Sequence, residues 1–447
     1  MSSKLFGTDG VRGKAGVPPL DAATVRRLGG ALVRALPHDH EEPHLLIGRD
    51  TRESGEWIER ELAFGAAGAG ADATSAGVIP TPAIAHLTRS RGFTAGVVIS
   101  ASHNPFEDNG IKVFSGAGEK FTEELEAAVE AVVADRSWAD PAGDAPAVRV
   151  TSLTDAYRQH ACEAMAGAFP AHARRIAIDC ANGATSVIAP AALRALGFDV
   201  TAIGCEPDGR NINLKCGSTH PESLARLVVD RGCQAGIAFD GDGDRAILID
   251  AQGTIVDGDA MLYLCAKQMA ATGRLRGNAV VATVMSNIGL EIALRDLGIR
   301  IVRCPVGDKY VMEELLRDNL ALGGEQSGHI IFADSLYTGD GLVTALNVLR
   351  VMAETGESLA ALAAGLKTFP QVLLNVRVRE RRDWATIPAV AAAAAGVERR
   401  LDGQGRLLIR YSGTEPLLRV MIEGEHQAEI DAWAEEIAAS VRAAIGA

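Results

Sequence analysis

Short apolar runs alternate with longer stretches of helical periodicity along the whole chain, the pattern of an α/β protein. Leu45-Leu46-Ile47-Gly48 and Ala95-Gly96-Val97-Val98-Ile99 read as buried strands, and residues 22–36, 56–69 and about 123–134 read as helices. Residues 136–146, with three Ala, two Pro and three Asp/Gly in irregular order, break every periodicity and mark a first domain boundary. A second unit opens near Thr151, with strands at 176–179, 200–203 and 235–239 and a helix at 188–196. A third offers a strand at 279–284 and a long helix at about 341–353, and the chain after Phe369-Pro370 is strand-rich with Ala-rich helices. Three successive strand-helix units suggest a repeated domain, although no residue-level repeat is visible.

Totals narrow the function classes. At 447 residues the chain is too long for one hydrophobic core, and 47% apolar with 23% charged residues is an ordinary soluble balance. No apolar run approaches the roughly 20 residues that span a bilayer, so no membrane partner is expected. The stretch Met1-Ser2-Ser3-Lys4-Leu5-Phe6-Gly7 lacks the apolar centre of a secretion signal, and a cytoplasmic address is the expectation. A formal net charge of -13 argues against nucleic acid as a partner. It still permits a small anionic substrate, which feels the local site more than the total. The seven cysteines are scattered and never form Cys-x-x-Cys, which fits reduced thiols rather than a disulfide framework or a zinc site. His38-Asp39-His40, set between Pro37 and Glu41-Glu42-Pro43, reads as a solvated loop rather than a metal pair.

Four loops carry candidate chemistry. Ser100-Ala101-Ser102-His103-Asn104-Pro105 follows the strand at 95–99, where a hydroxyl is exposed on rigid support; a simple turn is the alternative. Asp240-Gly241-Asp242-Gly243-Asp244-Arg245 directly follows the strand ending at Phe239. Carboxylates at every second position point one way if the backbone is extended, and three hard oxygen ligands without Cys or His suit Mg2+. An EF-hand fails because Arg245 stands where Gly is required, and the loose dinucleotide pattern Gly241-x-Gly243-x-x-Ala246 would set Asp242 and Asp244 against a pyrophosphate. A bare surface turn is unattractive, since each like-charge pair costs roughly 4 kcal/mol at ~4 Å and an effective dielectric of ~20. In Gly324-Glu325-Gln326-Ser327-Gly328-His329, Glu325 and Ser327 are spaced to hold ligand hydroxyls, with a helix-capping turn as the alternative. In Arg410-Tyr411-Ser412-Gly413-Thr414-Glu415-Pro416, with Arg419 close by, an arginine, hydroxyls and Gly-exposed amides suit a phosphate dianion, and an incidental hairpin turn is the alternative. Residues 7–14 fail the Walker pattern because Ala15 stands where Ser or Thr is needed, and no Gly-x-Ser-x-Gly elbow is present.

Together with Phe6-Gly7-Thr8-Asp9-Gly10-Val11-Arg12-Gly13 and Asn109-Gly110-Ile111-Lys112, these loops in this order resemble the α-D-phosphohexomutase superfamily over essentially the full length. Gln326 makes the third loop similar to the branch that acts on glucosamine phosphates, and Gly307-Asp308-Lys309 departs from the Gly-His-Ser type of the hexose enzymes. The resemblance implies four domains around a central cleft: three related α/β domains with mixed sheets and a smaller C-terminal α+β domain. The expected limits are 1–146, 147–250, 251–368 and 369–447.

It also implies that Ser102 is carried as phosphoserine. Such a group brings about -2 charge beside Asp240, Asp242 and Asp244, so a Mg2+ ligated by Ser102 and these aspartates is expected. The implied reaction interconverts glucosamine 6-phosphate and glucosamine 1-phosphate through a glucosamine 1,6-bisphosphate, or a related hexose bisphosphate as activator, and feeds amino-sugar nucleotide and cell-wall precursor synthesis. Arg410, Ser412, Gly413, Thr414 and Arg419 would clasp the phosphate of this phosphorylated amino sugar, and Glu325 and Ser327 the ring. Lys112 and His329 are the candidate bases, with Lys112 slightly favoured and a surface lysine in a strand as its alternative; Arg12 and Arg245 would stabilise the phosphoryl group and His103 would orient the serine loop. A homodimer is implied. A hexose phosphomutase for glucose or mannose phosphates, a phosphosugar-binding regulator without turnover, and a metal-dependent phosphatase with an Asp nucleophile are the alternatives.

Overall fold

The computed structural model describes residues 5–7, 9–36, 42–168, 175–412 and 415–447. Residues 38–40, and Gly413 and Thr414 of the expected phosphate clasp, lie outside this set. The chain divides into two compact bodies, Met1–Met285 with Leu297–Gly365, and Ser286–Asp296 with Leu366–Ala447.

The first body contains three sheets built to one plan. In the first, Asp72–Val78, His44–Arg49 and Ala95–Ile99 lie parallel in that order, and Asp108–Ser115 and Val11–Lys14 continue antiparallel. In the second, Asp199–Ile203, Arg175–Asp179 and Ala235–Phe239 are parallel, followed by antiparallel Ala246–Asp250 and Ile255–Val256. The third runs Arg300–Cys304, Ala279–Thr283, Leu322–Gly324 and then antiparallel Ile330–Phe332. The repetition suggested by the strand-helix alternation is thus a repetition of topology. In each sheet the turn between the last parallel strand and its antiparallel neighbour is one of the three candidate loops: 100–107, 240–245 and 325–329.

Helices cover the central strands of these sheets. Every residue of Ala95–Ile99, Ala235–Phe239 and Ala279–Thr283 is buried. Helix boundaries follow capping chemistry. Asp21 accepts from Thr24 N at 3.1 Å at the start of Ala22–Ala35, and Asp257 accepts from Ala260 N at 3.1 Å at the start of Gly258–Ala271. Residues 135–149 contain no helix or strand, as the broken periodicity predicts. They are nevertheless fastened down: the Trp138 ring lies 3.9 Å beneath the Arg27 guanidinium, which donates to Val133 O at 2.7 Å.

The second body is a three-stranded antiparallel sheet, Gln371–Arg377, Leu417–Glu423 and Arg406–Tyr411, with the central strand paired on both sides. Helices Pro388–Leu401 and Gln427–Ile445 supply the apolar cover, with Val397, Ile437 and Val441 fully buried. Helix Ile288–Asp296 groups with this body, Ile288 N donating to Glu423 Oε2 at 3.1 Å. Among the described residues no helix is long and apolar enough to cross a membrane, and all seven cysteines are free thiols.

Candidate active site

The serine loop leaves a fully buried strand and turns at once. Ser102 takes φ +53°, in the left-handed region that costs a non-glycine residue about 1–3 kcal/mol unless neighbours hold it. Here they do. Ser102 N donates to Ser100 Oγ at 2.9 Å, and Ser100 Oγ donates to Asp50 Oδ2 at 2.5 Å. Arg52, 1% exposed, pairs with that carboxylate oxygen at 2.9 Å. Its other nitrogens donate to Ser102 O at 3.0 Å, Asn104 O at 2.8 Å, Asp108 O at 3.0 Å and Pro105 O. Asn213 adds a donor to Ser102 O at 2.9 Å. Burial pushes the Asp50 carboxyl up despite Arg52 beside it.

This scaffold points the Ser102 hydroxyl into the acidic loop of the second sheet, where it donates to Asp240 Oδ2 at 2.6 Å. The ligand oxygens of Asp240, Asp242 and Asp244 lie within 4.8 Å of one another and all three residues are buried. The alternation argument assumed an extended backbone, and the structure corrects it. Residues 240–245 form a turn, with Gly243 at φ +72° and Gly243 N donating to Asp240 O at 3.2 Å. Convergence comes from the reversal of the chain, which a residue with a side chain at position 243 would oppose.

The triad is built for a cation. Asp242 Oδ1 and Asp244 Oδ1 are buried without a hydrogen-bond partner. Burial, then the charges of Asp244 and Asp242, push the Asp240 carboxyl well above its usual range, so one of the three resists ionisation without a counter-charge. A divalent ion with hard oxygen preference fits these residues.

Lys112, expected as either a base or a surface lysine, is buried at 2% exposure and therefore no surface lysine. Its Nζ lies 2.9 Å from Asp242 Oδ2 and 3.2 Å from both Asp244 Oδ2 and Asp9 Oδ2. Burial works against its charge, but these carboxylates outweigh it and hold the ammonium well above the usual lysine range. Thr81 Oγ1 donates to Asp242 Oδ2 at 2.5 Å. Burial opposes the Asp242 charge as well, and Lys112 overcomes it, leaving the carboxyl below its usual range.

His103 Nδ1 is 3.4 Å from Ser102 Oγ and 3.0 Å from Arg245 Nη1. A guanidinium only donates, so this nitrogen accepts and the ring is neutral; burial and then Arg245 push its pKa down. His329 Nε2 lies 3.2 Å from Asp308 Oδ2 and 4.0 Å from Asp244 Oδ2. Burial disfavours its cation, but Asp308 prevails and raises it. Lys120 joins Asp308 to Asp9, which it meets at 2.6 Å. Arg12 pairs with Asp9. Arg12, Arg245, Asp244, Asp308 and Glu325 share the walls of one cavity of about 590 Å3, large enough for a sugar phosphate. Glu325 accepts from Gly307 N at 3.1 Å, and exposed Ser327 donates to it at 3.3 Å. Gln326 turns away, donating to Asp257 Oδ2 at 3.1 Å, so the residue that marks the branch in sequence anchors its loop to a helix cap.

In the second body Arg410 and Arg419 are directly opposed in the antiparallel ladder, on one face. Arg419 Nη2 donates to Ser412 Oγ at 3.4 Å, Arg419 Nε is buried without a partner, and Glu415 stands 3.6 Å away. Two opposed cations beside a hydroxyl suit an anion. Arg381, which the motif reading does not include, holds this loop by donating to Ser412 O at 2.8 Å and Glu415 O at 3.1 Å.

The structure therefore brings Ser102, His103, Lys112, Asp240, Asp242, Asp244, Arg245 and His329 into one network, with Arg12 and Glu325 on its cavity. Asp50, Arg52, Thr81, Lys120 and Asn213 are new to it. The usable signal for Asp50 and Arg52 was position: they follow the carboxyl end of the parallel strand His44–Arg49, where α/β sheets place their sites.

A serine hydroxyl set on a buried acidic triad, in three sheets of one plan with a fourth domain, points to a phosphohexomutase. Family models for phosphoglucomutase/phosphomannomutase match in order: domain I over residues 3–140, domain II over 155–253, domain III over 257–369 and the C-terminal domain over 373–440. The chain belongs to this family. Its full-length relatives there are phosphoglucosamine mutases: it is 47% identical to that of Solibacter usitatus, with 100% of each chain covered, and 46% identical to that of Anaeromyxobacter dehalogenans, also with 100% of each covered. Its fold is similar to a phosphoglucomutase/phosphomannomutase family protein from Burkholderia thailandensis (TM-score 0.81, 24% identity, 99% and 98% of the two chains). It is also similar to the Aspergillus fumigatus N-acetylphosphoglucosamine mutase (TM-score 0.65, 18% identity, 98% and 95%).

Proposed function

We propose that this isomerase interconverts glucosamine 6-phosphate and glucosamine 1-phosphate by way of a phosphorylated Ser102 and a glucosamine 1,6-bisphosphate. The observation that carries the reading is the 2.6 Å contact between Ser102 Oγ and Asp240 Oδ2, which sets a hydroxyl on a buried acidic triad. The full-length relatives named phosphoglucosamine mutase supply the substrate.

Ser102, Asp240, Asp242 and Asp244 would hold Mg2+. When bound, that ion would offset the crowded phosphoryl and carboxylate charge. The residues then divide the work. The O–P bond at Ser102 breaks as the sugar 1-hydroxyl oxygen bonds to phosphorus, and the hydroxyl proton passes by way of Lys112 or His329 to the freed Ser102 oxygen; Asp242 and Asp244 hold Lys112 as the ammonium, so its own proton must leave before it can act as the base. Arg12 and Arg245 steady the transferring group. His103, neutral and held by Arg245, orients the serine loop. Glu325 and Ser327 hold ring hydroxyls, and Arg410, Ser412, Gly413, Thr414 and Arg419 clasp the phosphate that is not being transferred. After the bisphosphate turns over, its 6-phosphoryl group returns to Ser102. The domain limits 146, 250 and 368, a homodimer and a cytoplasmic location complete the reading.

A coupled assay on glucosamine 6-phosphate and glucose 6-phosphate tests the substrate. Higher kcat/KM on the amino sugar is expected, and preference for the neutral sugar would reassign the chain to the hexose enzymes. Asp242→Asn removes a ligand charge and the main partner of Lys112. The Mg2+ concentration for half-maximal activity should rise by more than about tenfold, read from a metal titration after chelation.

A further inference from the structure

The acidic loop is braced from behind by residues the reaction does not use. Helix Gly341–Thr355 starts against it: Gly341 N donates at 3.0 Å to Gly243 O, the carbonyl between Asp242 and Asp244. A Cβ on Gly341 would stand 2.4 Å from Arg245 O and 3.1 Å from Gly243 O, so helix and loop meet backbone to backbone. One residue earlier, Asp340 caps the helix, its Oδ1 accepting from Val343 N at 2.9 Å. Tyr157, on helix Thr154–Cys162, donates its hydroxyl to Asp340, with Oη 2.9 Å from both carboxylate oxygens. Tyr157 is 0% exposed and Asp340 3%. On the other side of the cap Gly339 lies against the His329 ring.

A helix cap at a surface needs only its own side chain and water. Here an acid and a phenol are both buried, each satisfied by the other, which fixes the rotamer of the cap and with it the first turn of the helix. We propose that Tyr157 and Asp340 are positioning residues for the divalent-cation site: they lock the helix start that, through Gly341 N and Gly243 O, holds the turn presenting Asp242 and Asp244. This rests on the triad being a metal site.

The test uses Mn2+ as the probe, titrated calorimetrically into the metal-stripped full chain. Wild type should bind one ion, and Asp242→Asn should bind it more than about tenfold more weakly. Tyr157→Phe and Asp340→Ala should bind Mn2+ about tenfold more weakly, the scale of an outer-shell partner, with KM for the sugar phosphate unchanged. Asp340→Asn keeps one oxygen, Oδ1, which can accept from both Val343 N and the Tyr157 hydroxyl, and should stay near wild type. Leu349→Ala, a core truncation further along the same helix, should lower the unfolding temperature without moving Mn2+ affinity. Unchanged affinity in Tyr157→Phe and Asp340→Ala overturns the positioning role while leaving the triad reading intact. An equal loss in Leu349→Ala overturns it as well, since any loosening would then suffice. A wild-type chain that binds no Mn2+ overturns the triad reading and the inference with it.

Discussion

Ser102→Ala should stop interconversion while leaving sugar-phosphate binding in place. The variant removes the only atom that carries the phosphoryl group in the proposed route, so turnover should fall on the order of 10^4-fold or more. Binding should persist because the groups proposed to hold substrate are elsewhere: Arg12, Arg245 and Glu325 on the cavity, Arg410 and Arg419 in the second body. The hydroxyl is neutral, so its loss strands no new charge; it takes one donor from Asp240, at a cost of about 1–3 kcal/mol, and the fold should survive. Two measurements decide it. Calorimetry should give a dissociation constant for glucosamine 6-phosphate within a few-fold of wild type. Labelled phosphorus from the 1,6-bisphosphate should enter the wild-type peptide containing residue 102 and be absent from the variant. Near-normal turnover by the variant would end the phosphoserine reading.

Arg52→Ala should be the most damaging substitution to the architecture of the site. The guanidinium is wholly enclosed, pairs with Asp50 at 2.9 Å and donates to three carbonyls of the serine loop and to that of Asp108. Removing it strands the Asp50 carboxylate, whose pKa burial already raises, in a place water does not reach. The expected cost is about 3–5 kcal/mol, measured by denaturant unfolding. Adding Asp50→Asn should recover part of that, because no buried charge is then left alone. Activity should not recover in the double variant, since the guanidinium donors to the loop carbonyls, which hold Ser102 at φ +53°, stay absent. Full recovery of both would show that Arg52 serves only to neutralise Asp50.

These two residues also divide what the sequence discloses from what it hides. Ser102 and the three aspartates are legible because their pattern is local: a buried strand, then turn chemistry, within six residues. Even there the spacing misled on mechanism, since the carboxylates converge through a turn at Gly243 and not through strand alternation. Lys112 is ambiguous in sequence because a strand lysine on an exposed face looks the same; its burial depends on Asp242 and Asp244, 130 and 132 positions away. Arg52 and Asn213 reach Ser102 O from 50 and 111 positions, and Tyr157 reaches Asp340 from 183, so no short window holds those pairs. The three-fold plan of the sheets was legible only as alternation, because hydrogen-bond order constrains the backbone and leaves side chains free to drift.

That plan has a practical outcome. Since the serine, the acidic triad and Glu325 each occupy the same turn of a separate ladder, residues 325–327 are the segment to transplant from a mutase with another sugar preference; Gly328 and His329 stay, because Gly328 O accepts from Ala246 N beside the triad and His329 faces Asp308 and Asp244.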